Sequence, residues 1–184
     1  SFSQIKIDGR FLIPLSSIFR VTNFEIGDQV YSRVPQEQMG TIAEYVAVTS
    51  DAVSKKPGNI SFKEAASIPL AGLTALQSLE NAGIKENDKV LIHAGSGGVG
   101  SLAIQYAKAK GAEIQVVDSE GQQAKLNDQV DIFITKGVDV LAINLVDPAA
   151  AGTIIAKAKA AKIPLILFNK EATAIRISSP FWCP

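Results

Sequence analysis

Residues 89–100 are Lys89-Val90-Leu91-Ile92-His93-Ala94-Gly95-Ser96-Gly97-Gly98-Val99-Gly100, and their order indicates the fold class. An apolar run of strand length enters a glycine turn, and helical periodicity follows over Val99–Lys110. Gly95, Gly97 and Gly100 therefore fit G-x-G-x-x-G between a strand and a helix. Such a unit typically opens a parallel α/β sheet.

Strand and helix patterns continue to alternate after this turn, which predicts a parallel sheet with flanking helices and right-handed crossovers. The predicted strands are 89–94, 114–118, 138–145 and 164–168, and the predicted helices are 99–110, 121–135 and 148–161. An aspartate followed by proline, Asp147-Pro148, predicts the start of the last helix.

The glycine turn has the chemistry of a dinucleotide pyrophosphate site. Its glycines permit a tight turn, a close backbone approach to phosphate and close packing of helix on strand. The helix N-terminus adds unpaired N–H groups and partial positive charge. The predicted contact residues are Gly95, Ser96, Gly97, Gly98, Val99 and Gly100. The alternative is a turn in which the glycines serve only the backbone.

Asp118 ends the second predicted strand, eighteen residues after Gly100. A carboxylate there accepts hydrogen bonds from the adenosine ribose hydroxyls and favours NAD over NADP. An ordinary turn or helix-cap aspartate ahead of Ser119 explains the residue equally well. His93, directly before the turn, is close enough to reach a phosphate or a neighbouring strand end, and a structural role is the simpler interpretation.

Composition narrows the function classes. Eighteen basic residues balance eighteen acidic ones, so no overall field favours nucleic acid or an anionic membrane. One cysteine and one histidine are too few for a protein-only zinc site, so we expect no metal and no internal disulfide. The apolar runs are too short to span a bilayer. We expect a soluble protein with a small-molecule substrate.

The first part of the chain predicts a small β-rich unit. Its β-type segments are Gln29–Tyr31 and Ile42–Val48. Ser61 to Glu64 fits a capping box, and the helix that it starts is broken near Pro69 before a second helix over Ala71–Ala82. The predicted divisions are a β-rich unit at 1–60, connecting helices at 61–87, an α/β domain at 88–173 and a tail at 174–184.

Several segments in order resemble the zinc-independent quinone oxidoreductases of the medium-chain dehydrogenase/reductase superfamily. They are Phe24-Glu25-Ile26-Gly27-Asp28-Gln29-Val30-Tyr31, Gly40-Thr41-Ile42-Ala43-Glu44-Tyr45-Val46, Glu64-Ala65-Ala66-Ser67-Ile68-Pro69-Leu70-Ala71-Gly72-Leu73-Thr74-Ala75 and the turn at 93–100. The resemblance covers about residues 21–112. It implies a Rossmann-like α/β sheet preceded by a partial GroES-like β unit, in a cytoplasmic protein that can form a homo-oligomer.

The same resemblance implies NADP- or NAD-dependent hydride transfer to a quinone or an α,β-unsaturated carbonyl, without zinc. Thr74 is the candidate contact at the nicotinamide end of the cofactor. Its alternative is a helix residue that donates its hydroxyl to the preceding turn. Tyr31 and Tyr45 are possible proton donors, although strand alternation explains both as packing residues. No catalytic residue is assigned. The family's early catalytic domain is missing or replaced by residues 1–20.

A second resemblance begins where the first one stops. The segments Glu113-Ile114-Gln115-Val116-Val117-Asp118-Ser119, Asn127-Asp128-Gln129-Val130-Asp131, Ala142-Ile143-Asn144-Leu145-Val146-Asp147-Pro148-Ala149-Ala150-Ala151-Gly152 and Phe168-Asn169-Lys170-Glu171 resemble the N-terminal lobe of periplasmic galactose/glucose-binding proteins. This implies a sugar-binding alternative in which Asn169 and Lys170 bind sugar hydroxyls, unless they lie in a solvated loop. The sequence is thus an apparent hybrid, whether engineered, naturally fused or assigned piecewise from known proteins.

Overall fold

A computed structural model describes residues 23–25, 27–34, 42–43 and 46–168, and the chain divides into two units between Leu70 and Ala71. The first unit contains two short strands, β1 at Val30–Ser32 and β2 at Val53–Lys55, which pair antiparallel with Val30 opposite Lys55. A 3₁₀ turn at Ser50–Ala52 precedes β2. The four-part division predicted from the sequence stays a prediction.

Helix α1, Phe62–Ser67, begins at the predicted capping box. The Glu64 N–H donates to the Ser61 hydroxyl at 3.3 Å, and the Ser61 N–H donates to the Glu64 carboxylate at 2.7 Å. Two backbone donors that the helix leaves unpaired are thereby satisfied. Helix α2 follows at Pro69–Asn81, so the predicted break near Pro69 is confirmed. Gly83 follows the end of α2 and takes a left-handed conformation, with φ of +68°, that glycine adopts without strain.

The predicted strand over Ile42–Val48 is wrong. Ile42 and Ala43 form a bend, residues 46–48 have no regular structure, and the Ile42 side chain is 87% exposed. Glu44 and Tyr45 lie outside the described residues. β-type residues form a strand only when a neighbour takes their backbone hydrogen bonds, and within the described residues β1 pairs with β2 instead.

The second unit carries the predicted alternation of strands and helices. Its elements after α2 are β3 at Lys89–His93, α3 at Gly98–Ala109, β4 at Glu113–Val117, α4 at Gln123–Thr135, β5 at Val140–Asn144, α5 at Ala151–Ala161 and β6 at Leu165–Phe168. The boundaries differ from the predicted ones by at most two residues at each end, except at the start of α5. This helix begins three residues later than predicted, because a 3₁₀ turn at Pro148–Ala150 precedes it.

The four strands of the second unit form a parallel sheet in the order β4-β3-β5-β6. Leu91 lies opposite Gln115 on one side and opposite Leu141 on the other. The α/β class with a parallel sheet and flanking helices is confirmed. In this order β5 pairs with the side of β3 that β4 leaves free, as in flavodoxin-like sheets. The strands are added first on one side of β3 and then on the other, so the topological switch point lies between β3 and β5.

Helices cover both faces of this sheet. One apolar cluster joins α2 and α3 to the sheet through residues such as Leu79, Ala103 and Val90. The other joins α4 and α5 through residues such as Val130, Ile154 and Leu91. Val90 and Leu91 point to opposite faces because strand side chains alternate. The central strands are therefore buried on both sides, which explains their continuous apolar sequences.

Among the described residues, no helix combines the length and the hydropathy that crossing a membrane requires.

Candidate functional site

The glycine turn leaves the carboxyl end of β3 and enters α3 within four residues. Ala94 takes a left-handed conformation with φ of +57°, and its carbonyl accepts the Gly97 N–H at 3.1 Å. Gly97 is the N-cap of α3, and its carbonyl accepts the Ser101 N–H at 2.9 Å. The turn thus reverses the chain tightly and starts the helix beside the strand end.

Two glycines in the turn are required by close packing. A side chain on Gly95 would collide with Val116 of β4, and one on Gly100 would collide with the Ala94 carbonyl oxygen and the Gly95 backbone. Gly98 is different, because a Cβ there would make an ordinary contact with Ala71 at 3.7 Å. Gly95 and Gly100 therefore hold α3 against the strands, which is the packing predicted for glycines at these positions.

The N-terminus of α3 is exposed and lacks a protein anion. Ser96, Gly97 and Gly98 are exposed, whereas Val99 and Gly100 are buried. The N-cap glycine offers no side-chain oxygen, and no acidic residue lies in the first turn. The first amides of a helix lack partners within it, and its dipole places partial positive charge there. This arrangement suits an external anion such as a phosphate group.

Asp118 follows β4, which is the immediate neighbour of β3. The Ala94 N–H donates to the Val117 carbonyl at 2.9 Å, so Asp118 lies beside the start of the glycine turn. Its carboxylate is exposed, and one oxygen accepts the Glu120 N–H at 2.7 Å. An ionised carboxylate has about four acceptor positions, so this bond leaves capacity for hydroxyl donors. Asp118 can therefore stabilise its own turn and also accept hydrogen bonds from a ligand.

His93 contacts the turn after the neighbouring strand. Its Nε2 lies 3.0 Å from the Ser119 hydroxyl and 3.2 Å from the Ser119 backbone nitrogen. Both residues are buried, with 3% and 1% exposure. Burial lowers the pKa of the His93 imidazole, against the opposing effects of the Asp118 charge and the Asn144 backbone carbonyl. The sequence suggests that His93 reaches either a phosphate or a neighbouring strand end. In the structure it contacts the end of the neighbouring strand β4.

Thr74 lies on α2, one turn beyond Ala71, the residue that faces Gly98. Residues three apart share a helix face, so Thr74 lies on the side of α2 that approaches the glycine turn. Thr74 has an interaction within the fold, and both its contact with the cofactor and its alternative role as a helix residue stay predictions.

Asn144, at the carboxyl end of β5, is a polar residue that sequence reasoning missed as a site candidate. Its side-chain oxygen is buried without a hydrogen-bond partner among the described residues. It alternates with Val140 and Ala142, which face α3. The sequence feature that could have identified Asn144 is a side-chain amide at the end of an otherwise apolar strand.

The remaining sequence candidates lie either outside the described residues or in the first unit. Asn169, Lys170 and Tyr45 lie outside the described residues. Tyr31 is half-buried in β1 of the first unit. The described residues contain no group of three or more His, Cys, Asp or Glu side chains arranged to hold a metal ion.

The comparisons with known proteins divide between two families. The mitochondrial NAD(P)H oxidoreductase RTN4IP1 of Danio rerio is 41% identical over 113 residues, which is 59% of this chain and 29% of that protein. The 2-methylene-furan-3-one reductase of Solanum lycopersicum is 44% identical over 95 residues, or 48% and 24% of the two chains. The solved quinone oxidoreductase of Coxiella burnetii is 33% identical with a TM-score of 0.59, covering 84% of this chain and 59% of that one.

The second family is found in the later part of the chain. The family model described as periplasmic binding protein domain matches residues 98–179. The D-galactose/methyl-galactoside binding periplasmic protein MglB of Haemophilus influenzae is 55% identical over 69 residues, which is 38% of this chain and 21% of that protein. The chain spans less than a third of each curated relative named here.

The structural likeness to the quinone oxidoreductase covers most of the chain, whereas the periplasmic relative covers 38% of it, so the comparisons favour the reductase interpretation. Both predicted resemblances are confirmed: the chain is similar to quinone and enoyl reductases of the medium-chain dehydrogenase/reductase superfamily, and a segment of it is similar to periplasmic galactose-binding proteins.

Proposed function

We propose that this chain binds NAD(P)H at the carboxyl edge of its parallel sheet and forms part of a zinc-independent reductase of the cytoplasm. The observation that carries the proposal is the exposed N-terminus of α3, which follows a turn whose close packing requires Gly95 and Gly100. Phosphate oxygens fit this position because it offers backbone N–H groups and contains no competing carboxylate in the first turn.

Each part of the cofactor has a candidate partner in the chain. The backbone of Ser96, Gly97, Gly98 and Val99 binds the pyrophosphate, while Gly95 and Gly100 keep the turn close to the strands. Asp118 accepts hydrogen bonds from the adenosine ribose, and Thr74 lies towards the nicotinamide end. When bound, the cofactor supplies the hydride for reduction. The chain's own contribution is to bind and orient the cofactor at the switch point between β3 and β5.

The substrate class follows from the relatives. Their names describe an NAD(P)H oxidoreductase, a quinone oxidoreductase and a reductase of a methylene-furanone, which is an α,β-unsaturated ketone. Quinones and enones share a conjugated carbonyl that accepts a hydride. We therefore propose a conjugated carbonyl as substrate, with no residue of the described chain assigned as the proton donor.

Cofactor titration tests the binding proposal. NADH or NADPH fluorescence, or calorimetry, is expected to show saturable binding, and its absence for both cofactors at millimolar concentration would overturn the proposal. In Gly97→Asp the new carboxylate caps the helix and competes with the phosphates, so binding is expected to be lost while the melting temperature stays unchanged or rises. Gly58→Asp is the matched control, because Gly58 is exposed with open space around it.

Asp118 favours NAD over NADP in this proposal, since a carboxylate beside the ribose repels a 2′-phosphate. In Asp118→Ala the affinity ratio of NADH to NADPH is expected to fall by about tenfold, the effect of losing a charged hydrogen bond and a repulsion. Glu113→Ala removes an exposed carboxylate at the opposite, amino end of β4 and is expected to leave the ratio unchanged. An unchanged ratio in Asp118→Ala would contradict this assignment.

A second candidate function is sugar binding, which the match of residues 98–179 to a periplasmic binding protein domain supports. Under this alternative, which implies a periplasmic location, Asn169 and Lys170 bind the sugar hydroxyls. Galactose or glucose would then raise the melting temperature, and Asn169→Ala would abolish the shift. A melting temperature that neither sugar changes would contradict this candidate.

A further inference from the structure

A group of buried polar residues lies beneath the turn that carries Asp118. His93 lies on the sheet face that α4 and α5 cover, because it alternates with Leu91 of that apolar cluster. Its imidazole contacts both polar groups of Ser119, the hydroxyl and the backbone nitrogen. A buried side chain of β3 is thus connected directly to the residue that follows Asp118.

The turn that begins at Asp118 has an unusual backbone and depends on side-chain contacts. Glu120 and Gly121 both have positive φ, at +55° and +74°. For the non-glycine residue this conformation is strained, so surrounding contacts must maintain it. Gln129 of α4 contributes one such contact by donating to the Asp118 carbonyl at 2.9 Å. The bonds between Ser119 and His93, and the ion pair of Lys125 of α4 with the Glu120 carboxylate at 2.7 Å, are further contacts from outside the turn.

The direction of these bonds determines the state of the imidazole. A backbone N–H only donates, so the Ser119 N–H requires an unprotonated Nε2. The neutral ring then carries its hydrogen on Nδ1. Burial favours the same neutral form by lowering the pKa of His93. A protonated Nε2 would place two donors against each other.

We propose that His93 is a positioning residue for cofactor choice: by accepting the Ser119 N–H, it holds the turn in which the Asp118 carboxylate faces the adenosine ribose. This inference rests on the proposed NAD(P)H site. The charged group that acts on His93 is Asp118, in the turn itself, while β5 contributes the neutral Asn144 carbonyl and α4 the neutral Gln129 beside the Asp118 backbone. Loss of the imidazole acceptor leaves a buried donor unpaired and releases the turn.

Two substitutions separate positioning from simple core packing. His93→Leu fills the space without an acceptor, and His93→Gln offers an amide oxygen. We expect His93→Leu to weaken NADH binding by about tenfold, as loss of a buried acceptor does. NADPH binding is expected to stay the same or to strengthen, because a displaced Asp118 no longer repels the 2′-phosphate. His93→Gln is expected to restore the preference for NADH over NADPH. Val130→Ala, in the same apolar cluster, is the control that lowers stability without changing the affinity ratio.

The pH profile supplies a second readout. NADH affinity of the unaltered chain is expected to fall where His93 becomes protonated, and the profile of His93→Gln is expected to lack this step. An affinity ratio that stays constant in His93→Leu, or an identical pH profile in both proteins, would overturn the proposal.

Nuclear magnetic resonance tests the turn without cofactor, since His93 is the one histidine of the sequence. We expect the ¹⁵N shifts of the unaltered chain to show an unprotonated Nε2, and the amide signals of Ser119 and Glu120 to move in His93→Leu. A protonated Nε2 at neutral pH would overturn the positioning role whether or not cofactor binds. If the unaltered chain shows the expected shifts but binds neither cofactor, the proposed function fails and the role in cofactor choice is overturned with it.

Discussion

Gly100 lies where α3 passes closest to the end of β3, and a methyl group there would meet backbone atoms that cannot rotate away. Gly100→Ala is therefore expected to lower the free energy of unfolding by about 1–3 kcal/mol, the usual effect of overpacking. Gly98→Ala on the same helix is the control, since its Cβ would make an ordinary contact and alanine favours the helix. Urea unfolding measures both, and equal losses of stability would contradict the packing role of Gly100.

His93 also makes the stability of the fold depend on pH. Its pKa is lowered in the folded chain from an ordinary value of 6.5. Below about pH 6.5 the unfolded chain binds a proton that the folded chain does not, so the free energy of unfolding decreases as the pH falls. The decrease ends once the pH passes below the folded pKa. Above pH 6.5 both states are neutral and the effect vanishes.

Unfolding in urea between pH 7 and pH 5 is expected to show this slope in the unaltered chain and a smaller slope in His93→Gln. The carboxylates of Asp28, Asp51 and Glu64, whose pKa values are lowered by hydrogen bonds, act in a more acidic range. Their contribution is present above their ordinary values of 3.8 and 4.5 and is lost as the pH falls further. Parallel slopes for the two proteins from pH 7 to pH 5 would contradict the role of His93.

At the scale of the element, the start of α1 depends on reciprocal bonds between Ser61 and Glu64. Ser61→Ala leaves the Glu64 N–H without its side-chain acceptor and is expected to lower stability by about 1 kcal/mol. Ser67→Ala is the control, because the Ser67 hydroxyl bonds only to the Glu64 carbonyl, three residues earlier in the same helix. Its effect is expected to be below about 0.5 kcal/mol. Thermal unfolding followed by circular dichroism compares the two variants.

Element types in the second unit could be predicted from the sequence because the local signals agree with the tertiary structure. The buried strands are continuous apolar runs, and the Asp147 side chain accepts the Ala149 N–H at 2.9 Å and so caps the 3₁₀ turn that leads into α5. The first unit gave weaker signals. The three-residue strand Val53–Lys55 contains serine and lysine and shows little alternation, while Ile42–Val48 has β-type residues but no described partner.

The site could be predicted only in part, because some of its contacts join residues that are far apart in the sequence. The G-x-G-x-x-G spacing and Asp118 are local features, and the sequence places both at strand ends. The contact between His93 and Ser119 joins residues twenty-six positions apart and depends on which strands are neighbours. The Asn144 side-chain oxygen, which has no hydrogen-bond partner within the described part of the chain, is likewise recognised as buried only once β5 is placed inside the sheet.

At the scale of the whole molecule, the sheet of the second unit combines β3 with strands from the segment that matches the periplasmic binding protein domain. Residues 98–179 contain β4, β5 and β6, and β5 pairs with β3, which precedes this segment. A Rossmann sheet places its third strand beyond the second and its fourth beside the first. In both the Rossmann order and the order of this sheet, the first strand, here β3, has a neighbouring strand on each side. The carboxyl edge around the glycine turn is thereby preserved although the connection between strands differs.

Amide hydrogen exchange tests this arrangement of the sheet. Strands β3 and β5 each pair on both sides and contain residues with 0–2% exposure, so their amides are expected to exchange most slowly. Strand β4 has one neighbour among the described strands, and Val116 is 50% exposed. Its amides are expected to exchange more than about tenfold faster than those of β5, as edge strands open more easily. Equal protection of β4 and β5 would show that another segment or another chain pairs with this edge, and the four-strand order would then be incomplete.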